Sequence, residues 1–227
     1  MIADESCQII PYGDSAIFII IDSEINAASN LKVQHIDKWL QQNMPTGFTE
    51  IIPAYSSLVI TYDPLQIKLD EALSLIKSLV KNCPHGSIET GRLLEVPVVY
   101  GGEFGEDLAS LANFLGLSEE EVVHLHSQVE YTVAMMGFTP GFVYLSGLDE
   151  RLHMPRKSTP RTLVPAGSVG IAGGQTGIYS IDSPGGWQLI GRTTLVLFDP
   201  GREKPFLFEP GDRVRFIPRK AELGLDA

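Results

Sequence analysis

Cysteine is almost missing from this sequence: there are 2 in 227 residues, Cys7 and Cys83, with no Cys-x-x-Cys and no Cys/His cluster. That usage argues against a disulfide framework or a zinc site and points to a reducing compartment, the cytoplasm. Long apolar runs are missing too. The strongest one near the N-terminus, Ala16 to Ile21, is too short to span a bilayer and lacks the flanks of a signal peptide, so it reads as a buried strand. No Gly-x-x-x-x-Gly-Lys-[Ser/Thr] occurs anywhere, which excludes a P-loop. No Gly-x-Ser-x-Gly elbow occurs either, which leaves serine-hydrolase chemistry without support.

Positive charge is scarce and unevenly placed. The net charge is -11. Residues 93 to 150 carry no Lys or Arg against ten Asp or Glu, whereas residues 151 to 227 carry eleven against seven. An acidic chain of this kind is a poor partner for nucleic acid or an anionic membrane. The arginines of the last third offer a place for a small anion, and the acidic middle also reads simply as a solvated helical face.

The remaining composition is that of a globular protein, 44% hydrophobic and 20% charged, long enough for two small domains. The first ninety residues read as strand, helix, strand, strand, helix, strand. Ala28, Leu31, Ile36, Trp39 and Leu40 suggest one helical face, and Leu69, Ala72, Leu73, Ile76, Leu79 and Val80 a cleaner one. Thr49 to Ala54 and Leu58 to Tyr62 suggest a hairpin. This order predicts an α+β domain of ferredoxin-like type over residues 1–91, ended by the Asn82-Cys-Pro-His-Gly86 punctuation.

Leu94 to Tyr100 is a further strand, followed by two short helices. The second helix starts at Ser118-Glu-Glu-Glu121, a capping box. From Met135 onward, β-prone runs alternate with Gly and Pro: Phe142 to Leu145, Thr162 to Val164, Val169 to Ala172, Gly177 to Ile181, Trp187 to Ile190, Leu195 to Phe198 and Arg213 to Ile217. Many short strands predict a mainly-β barrel or sandwich over residues 92–227.

Candidate chemistry concentrates between Met135 and Arg192. The glycines of Gly167-Ser-Val-Gly-Ile-Ala-Gly-Gly174 resemble a dinucleotide loop, but β-prone residues follow where a helix is required. They serve either close ligand approach or barrel corners. Arg156 and Arg161 each follow a proline and offer guanidinium forks for a carboxylate or phosphate, and Arg192 is a third such candidate. Tyr144 and Gln175 complete the candidate substrate-binding set, Gln175 serving an amide or merely its own turn. His126, on the apolar face of the capped helix, is either a core histidine or a general base. No metal site is expected.

Read together, Val96-Pro-Val-Val-Tyr-Gly-Gly102, Leu117-Ser-Glu, Leu125-His-Ser, Gly137-Phe-Thr-Pro-Gly-Phe142, the paired Pro-Arg steps, Pro165-Ala-Gly-Ser-Val-Gly-Ile171, Gln175-Thr-Gly-Ile-Tyr179, Ser183-Pro-Gly-Gly-Trp187 and Gly211-Asp212 resemble one family. It contains the B subunit of 5-oxoprolinase, the sporulation kinase inhibitor KipI and allophanate hydrolase subunit 1. The N-terminal ninety residues match mainly in element order and in Tyr12-Gly-Asp-Ser-Ala16. The resemblance implies a C-terminal cyclophilin-like barrel and ATP as co-substrate. It implies work with two other subunits, a LamB/YcsF-type one (A) and a second cyclophilin-like one (C), opening 5-oxoproline to glutamate. Within this frame Arg156, Arg161 and Arg192 would neutralise substrate carboxylate or phosphate charge, and His126 would handle protons. The alternatives are a KipI-like inhibitor that docks on a histidine kinase, and a subunit related to urea carboxylase or allophanate hydrolase. No biotin-attachment lysine motif occurs in the chain.

Overall fold

The computed structural model describes residues 7–84 and 91–220, and the chain falls into two compact units, Met1–Glu89 and Thr90–Ala227. His85 and Gly86 of the expected boundary lie outside the described residues.

In the first unit, strands β1 (Gln8–Tyr12), β2 (Ala16–Ile20), β3 (Phe48–Pro53) and β4 (Ser57–Tyr62) form an antiparallel sheet in the order β1-β2-β4-β3. Alternation drives the packing. Ile17 and Ile19 of β2 and Leu58 and Ile60 of β4 point inward, onto Val33, Ile36 and Leu40 of helix α1 (Ala27–Asn43) and Ala72, Ile76 and Val80 of helix α2 (Leu69–Lys81). Two expectations differ from this arrangement. An edge strand precedes the first helix, because Gln8-Ile-Ile-Pro-Tyr12 pairs on one side only and an edge tolerates Pro11. The α1 face is also rotated: Ala28 and Leu31 are exposed, while Ser29, Asn30, Gln34 and Asp37 are buried. These polar residues are hydrogen-bonded, Asn30 to the Tyr55 carbonyl and Gln34 to Asn30, so a hydrophobic pattern could not find them.

The second unit is a closed barrel of seven strands, running β10 (Gln175–Ile178), β7 (Val143–Ser146), β6 (Tyr131–Met136), β13 (Arg213–Arg219), β5 (Leu93–Tyr100), β12 (Gln188–Arg192), β9 (Ser168–Ala172) and back to β10. A separate pair, β8 (Arg161–Val164) and β11 (Ser183–Gly185), lies outside this circuit. Two helices, α3 (Leu108–Leu115) and α4 (Glu119–Ser127), follow β5 in the chain. The expected capping box at α4 is present: Glu121 N–H donates to Ser118 Oγ and Ser118 N–H to Glu121 Oε2. β13 runs parallel to β5, and the junction is clamped by Arg92, whose guanidinium donates to both oxygens of buried Asp212.

Strand β6 carries no clear sequence signal, because Tyr131 to Met136 shows little alternation. The expected strand over Leu195 to Phe198 is reduced to one isolated bridge, Phe198 to Phe206. No helix among the described residues is long and apolar enough to cross a membrane.

The frequent glycines of this unit reflect close packing. A side chain at Gly177 would meet the Val143 carbonyl and the rings of Trp187 and Phe142, and one at Gly185 would collide with the Tyr179 phenol. These positions surround an aromatic pocket.

Candidate functional site

Five rings meet on one side of the barrel. Phe142 stands 4.7 Å from Tyr144, 5.0 Å from Tyr179 and 5.5 Å from Trp187 between ring centroids, and Phe138 reaches it at 5.7 Å. Tyr144 belongs to β7, and Phe142 precedes it. Tyr179 follows β10, and Trp187 precedes β12. With Arg156, Pro160 and Ser183 these rings line a cleft of about 410 Å³. Among the described residues the lining contains no Asp, Glu, His or Lys.

Three features make the cleft the candidate binding site. Arg156 is exposed and makes no ion pair or hydrogen bond among the described residues. Ser183 is buried, and its hydroxyl has no protein partner there. Phe138 holds a φ of 68° in a three-residue turn closed by Thr139 N–H to the Gly137 carbonyl. Such a backbone in a bulky residue costs about 1–3 kcal/mol and is tolerated where the surroundings impose it. Burial raises the Tyr144 and Tyr179 hydroxyls above the ordinary tyrosine range and the Arg156 charge pulls the other way, so both phenols are neutral donors at pH 7.

The two Pro-Arg steps part company. Arg156 faces the cleft, but Arg161 turns to Asp107, its Nη2 donating to both carboxylate oxygens at 2.7 Å, with Glu106 at 3.5 Å. Lys157 Nζ donates to the same carboxylate at 2.9 Å, and the Leu189 N–H donates to it at 2.7 Å. Burial alone would raise the Asp107 carboxyl, but hydrogen bonds from Arg161, Lys157 and Leu189 outweigh it and hold it below the usual range. Arg161 is therefore a positioning residue: it also donates to the Trp187 carbonyl at 3.4 Å, next to the indole that walls the cleft.

His126 does not fit the proton-handling role. It is fully buried in the barrel core, stacked on Phe216 at 4.5 Å. Nδ1 engages the Tyr100 hydroxyl at 2.8 Å and Nε2 the Thr176 hydroxyl at 2.9 Å, so both nitrogens are occupied by protein hydroxyls. Desolvation lowers its pKa to about 3. The His126 ring proton shifts in NMR are expected to stay flat from pH 8 to 5; a titration near 6.5 would contradict the buried placement. The unfolded chain binds a proton at His126 below about pH 6.5 and the folded chain does not, so this residue's share of stability is complete above that pH. It is lost as pH falls toward 3.

Gln175 and Arg192 stand apart from the cleft lining. Gln175 opens β10 at the β9–β10 hairpin, paired with Ala172. Arg192, at the end of β12, lines a different groove. Of the expected set the structure brings together only Tyr144 and Arg156. The residues missed are Phe142, Tyr179, Ser183, Trp187 and Asp107. The first four lie inside the motifs singled out above, which located the site without ranking its members. No cluster of His, Cys, Asp or Glu able to hold a metal occurs among the described residues.

The family model "Carboxyltransferase domain, subdomain C and D" matches residues 7–208. The 5-oxoprolinase B subunit of Escherichia coli O157:H7 is 46% identical over 94% of this chain and 96% of its own length, and that of Bacillus subtilis 44% identical over 92% of each. The urea amidolyase of Lachancea kluyveri is 28% identical, this chain spanning 13% of it. Among solved structures, TTHA0988 superposes with a TM-score of 0.81 at 40% identity, over 91% of this chain and 41% of that one. This chain thus spans about two fifths of TTHA0988.

Proposed function

This chain belongs to the carboxyltransferase family of subdomains C and D, among relatives named as the B subunits of 5-oxoprolinases, and from that premise we propose that it is the B subunit of an ATP-dependent 5-oxoprolinase. The observation that carries the reading is identity of 40–46% to three such subunits over nearly the whole chain. On the same reading the barrel is cyclophilin-like, and the first unit is a ferredoxin-like layer whose edge strand has moved to the front of the chain.

The aromatic cleft suits the substrate. 5-Oxoproline is a flat five-membered lactam bearing one carboxylate. Trp187, Phe142 and Tyr144 offer the ring an apolar seat, Arg156 a fork for the carboxylate, and the Ser183 hydroxyl a partner for the amide. A lactam is a poor electrophile, and ATP supplies the driving force for its opening. Because the lining holds no acid or base beyond two neutral phenols, the groups that move protons and phosphate come from the two partners, the LamB/YcsF-type protein and the second cyclophilin-like protein.

Reconstitution tests this. The chain alone is expected to bind 5-oxoproline without turnover, and addition of both candidate partners to release glutamate and phosphate together. Full ATP-dependent ring opening by the isolated chain, or no turnover in the complete mixture, would overturn the reading.

A further inference from the structure

Among residues 91–220 there are twelve lysines and arginines. Eight of them face a carboxylate within 4.0 Å: Arg92, Arg151, Lys157, Arg161, Arg202, Lys204, Arg213 and Arg215. The four left without such a partner among the described residues are Arg156, in the aromatic cleft, and Arg192, Arg219 and Lys220. These last three line one groove of about 590 Å³ with Pro97, Val99, Thr194 and Pro218. In a protein of net charge -11, three cations in one groove with no carboxylate partner among the described residues are an electrostatic attractor.

The barrel register places them. Val99 of β5 pairs with Arg192 of β12 on one side and with Arg219 of β13 on the other. The two arginines therefore stand on the same face, two strand spacings apart, about 10 Å between backbones. Val96 and Val98 face the core, so Pro97 and Val99 floor the groove from outside. Arg192 is preorganised: its guanidinium lies 5.6 Å over the Phe104 ring, and its Nε is buried without a hydrogen-bond partner.

We infer that this groove is an oligophosphate-binding site and takes the phosphate chain of the nucleotide co-substrate, separately from the aromatic cleft. A single carboxylate such as that of 5-oxoproline satisfies one fork, whereas a di- or triphosphate presents charge along a length that both arginines and Lys220 can reach. The naming of the nucleotide rests on the proposed ATP dependence, but the anion site does not.

Calorimetric titration of the whole chain at low salt tests it with three probes: inorganic tripolyphosphate, ATP and AMP. Tripolyphosphate and ATP are expected to bind one to one and AMP far more weakly. Arg192→Met, which keeps an unbranched apolar stem, and Arg219→Met, on an exposed strand end, should each weaken both by about tenfold or more. Arg202→Met, a charge removed elsewhere, should not. Absence of tripolyphosphate binding at millimolar concentration, or equal loss in Arg202→Met, would overturn the site. A reconstituted complex whose KM for ATP is unmoved by Arg192→Met and Arg219→Met also overturns it, while leaving the proposed function intact. Arg192-dependent tripolyphosphate binding in a complex that never opens 5-oxoproline would do the reverse.

Discussion

Replacing Asp107 with alanine is expected to destabilise the protein by about 3–5 kcal/mol, the range for removing one partner of a buried ion pair. Asp107 is 4% exposed and accepts from Arg161, Lys157 and the Leu189 N–H. Truncation strands two cations in partly desolvated positions and a backbone donor with no acceptor. Equilibrium urea unfolding measures the loss, and a change under 1 kcal/mol would show that the hub is not structural. Removing the charges together, as in Asp107→Leu with Arg161→Met, should recover much of it, because the penalty lies in the unpaired charge. The pH dependence has a definite sign. The folded carboxyl lies below its unfolded value, so its contribution is complete above about pH 4 and fades as acid titrates it in the folded state. The same variant is expected to loosen the Trp187 wall, because Arg161 and Asp107 hold the backbone at Trp187 and Leu189.

The second large effect separates binding from stability. Arg156→Ala should raise the KM for 5-oxoproline in the reconstituted enzyme by on the order of ten- to a hundredfold, as expected for loss of about 1.5–3 kcal/mol from a charged hydrogen bond. kcat should change little, since the carboxylate does not itself react and is held equally in ground and transition states. Lysine at this position should restore charge without the two-pronged geometry and so rescue only in part. Unfolding of Arg156→Ala should match the parent, because the side chain is exposed and has no ion pair among the described residues. Arg161→Met should show the opposite pattern, lowered stability with KM less affected. Unchanged KM in Arg156→Ala would remove the cleft from the substrate path.

How much of this was legible in the sequence follows from where the determinants lie. The capping box at Ser118 and the α2 face depend on residues three or four apart, and both were read directly. The glycines of Gly167 to Gly177 were readable as packing once a helix was ruled out after them, though not which rings they accommodate. Arg156 and Arg161 share a Pro-Arg context but differ in fate, because what distinguishes them is Asp107, 54 positions before Arg161. The groove at Arg192 depends on β5 lying between β12 and β13, a register no local pattern carries. The His126 pattern fitted either a core or a catalytic histidine, and only its partners Tyr100 and Thr176, brought in from β5 and β10, decide.

The parallel seam between β5 and β13 also sets a schedule for synthesis. Arg92 and Asp212, which clamp that seam, are 120 positions apart, so β5 leaves the ribosome long before the strand that will lie between it and β6 exists. Until then both β5 and β6 offer unpaired backbone edges, the kind of surface that recruits other chains. The barrel cannot close residue by residue as it emerges; it closes in a late, long-range step, which makes for slow folding. A nascent chain stalled before β13 is therefore the form of this protein most exposed to aggregation and most in need of a chaperone.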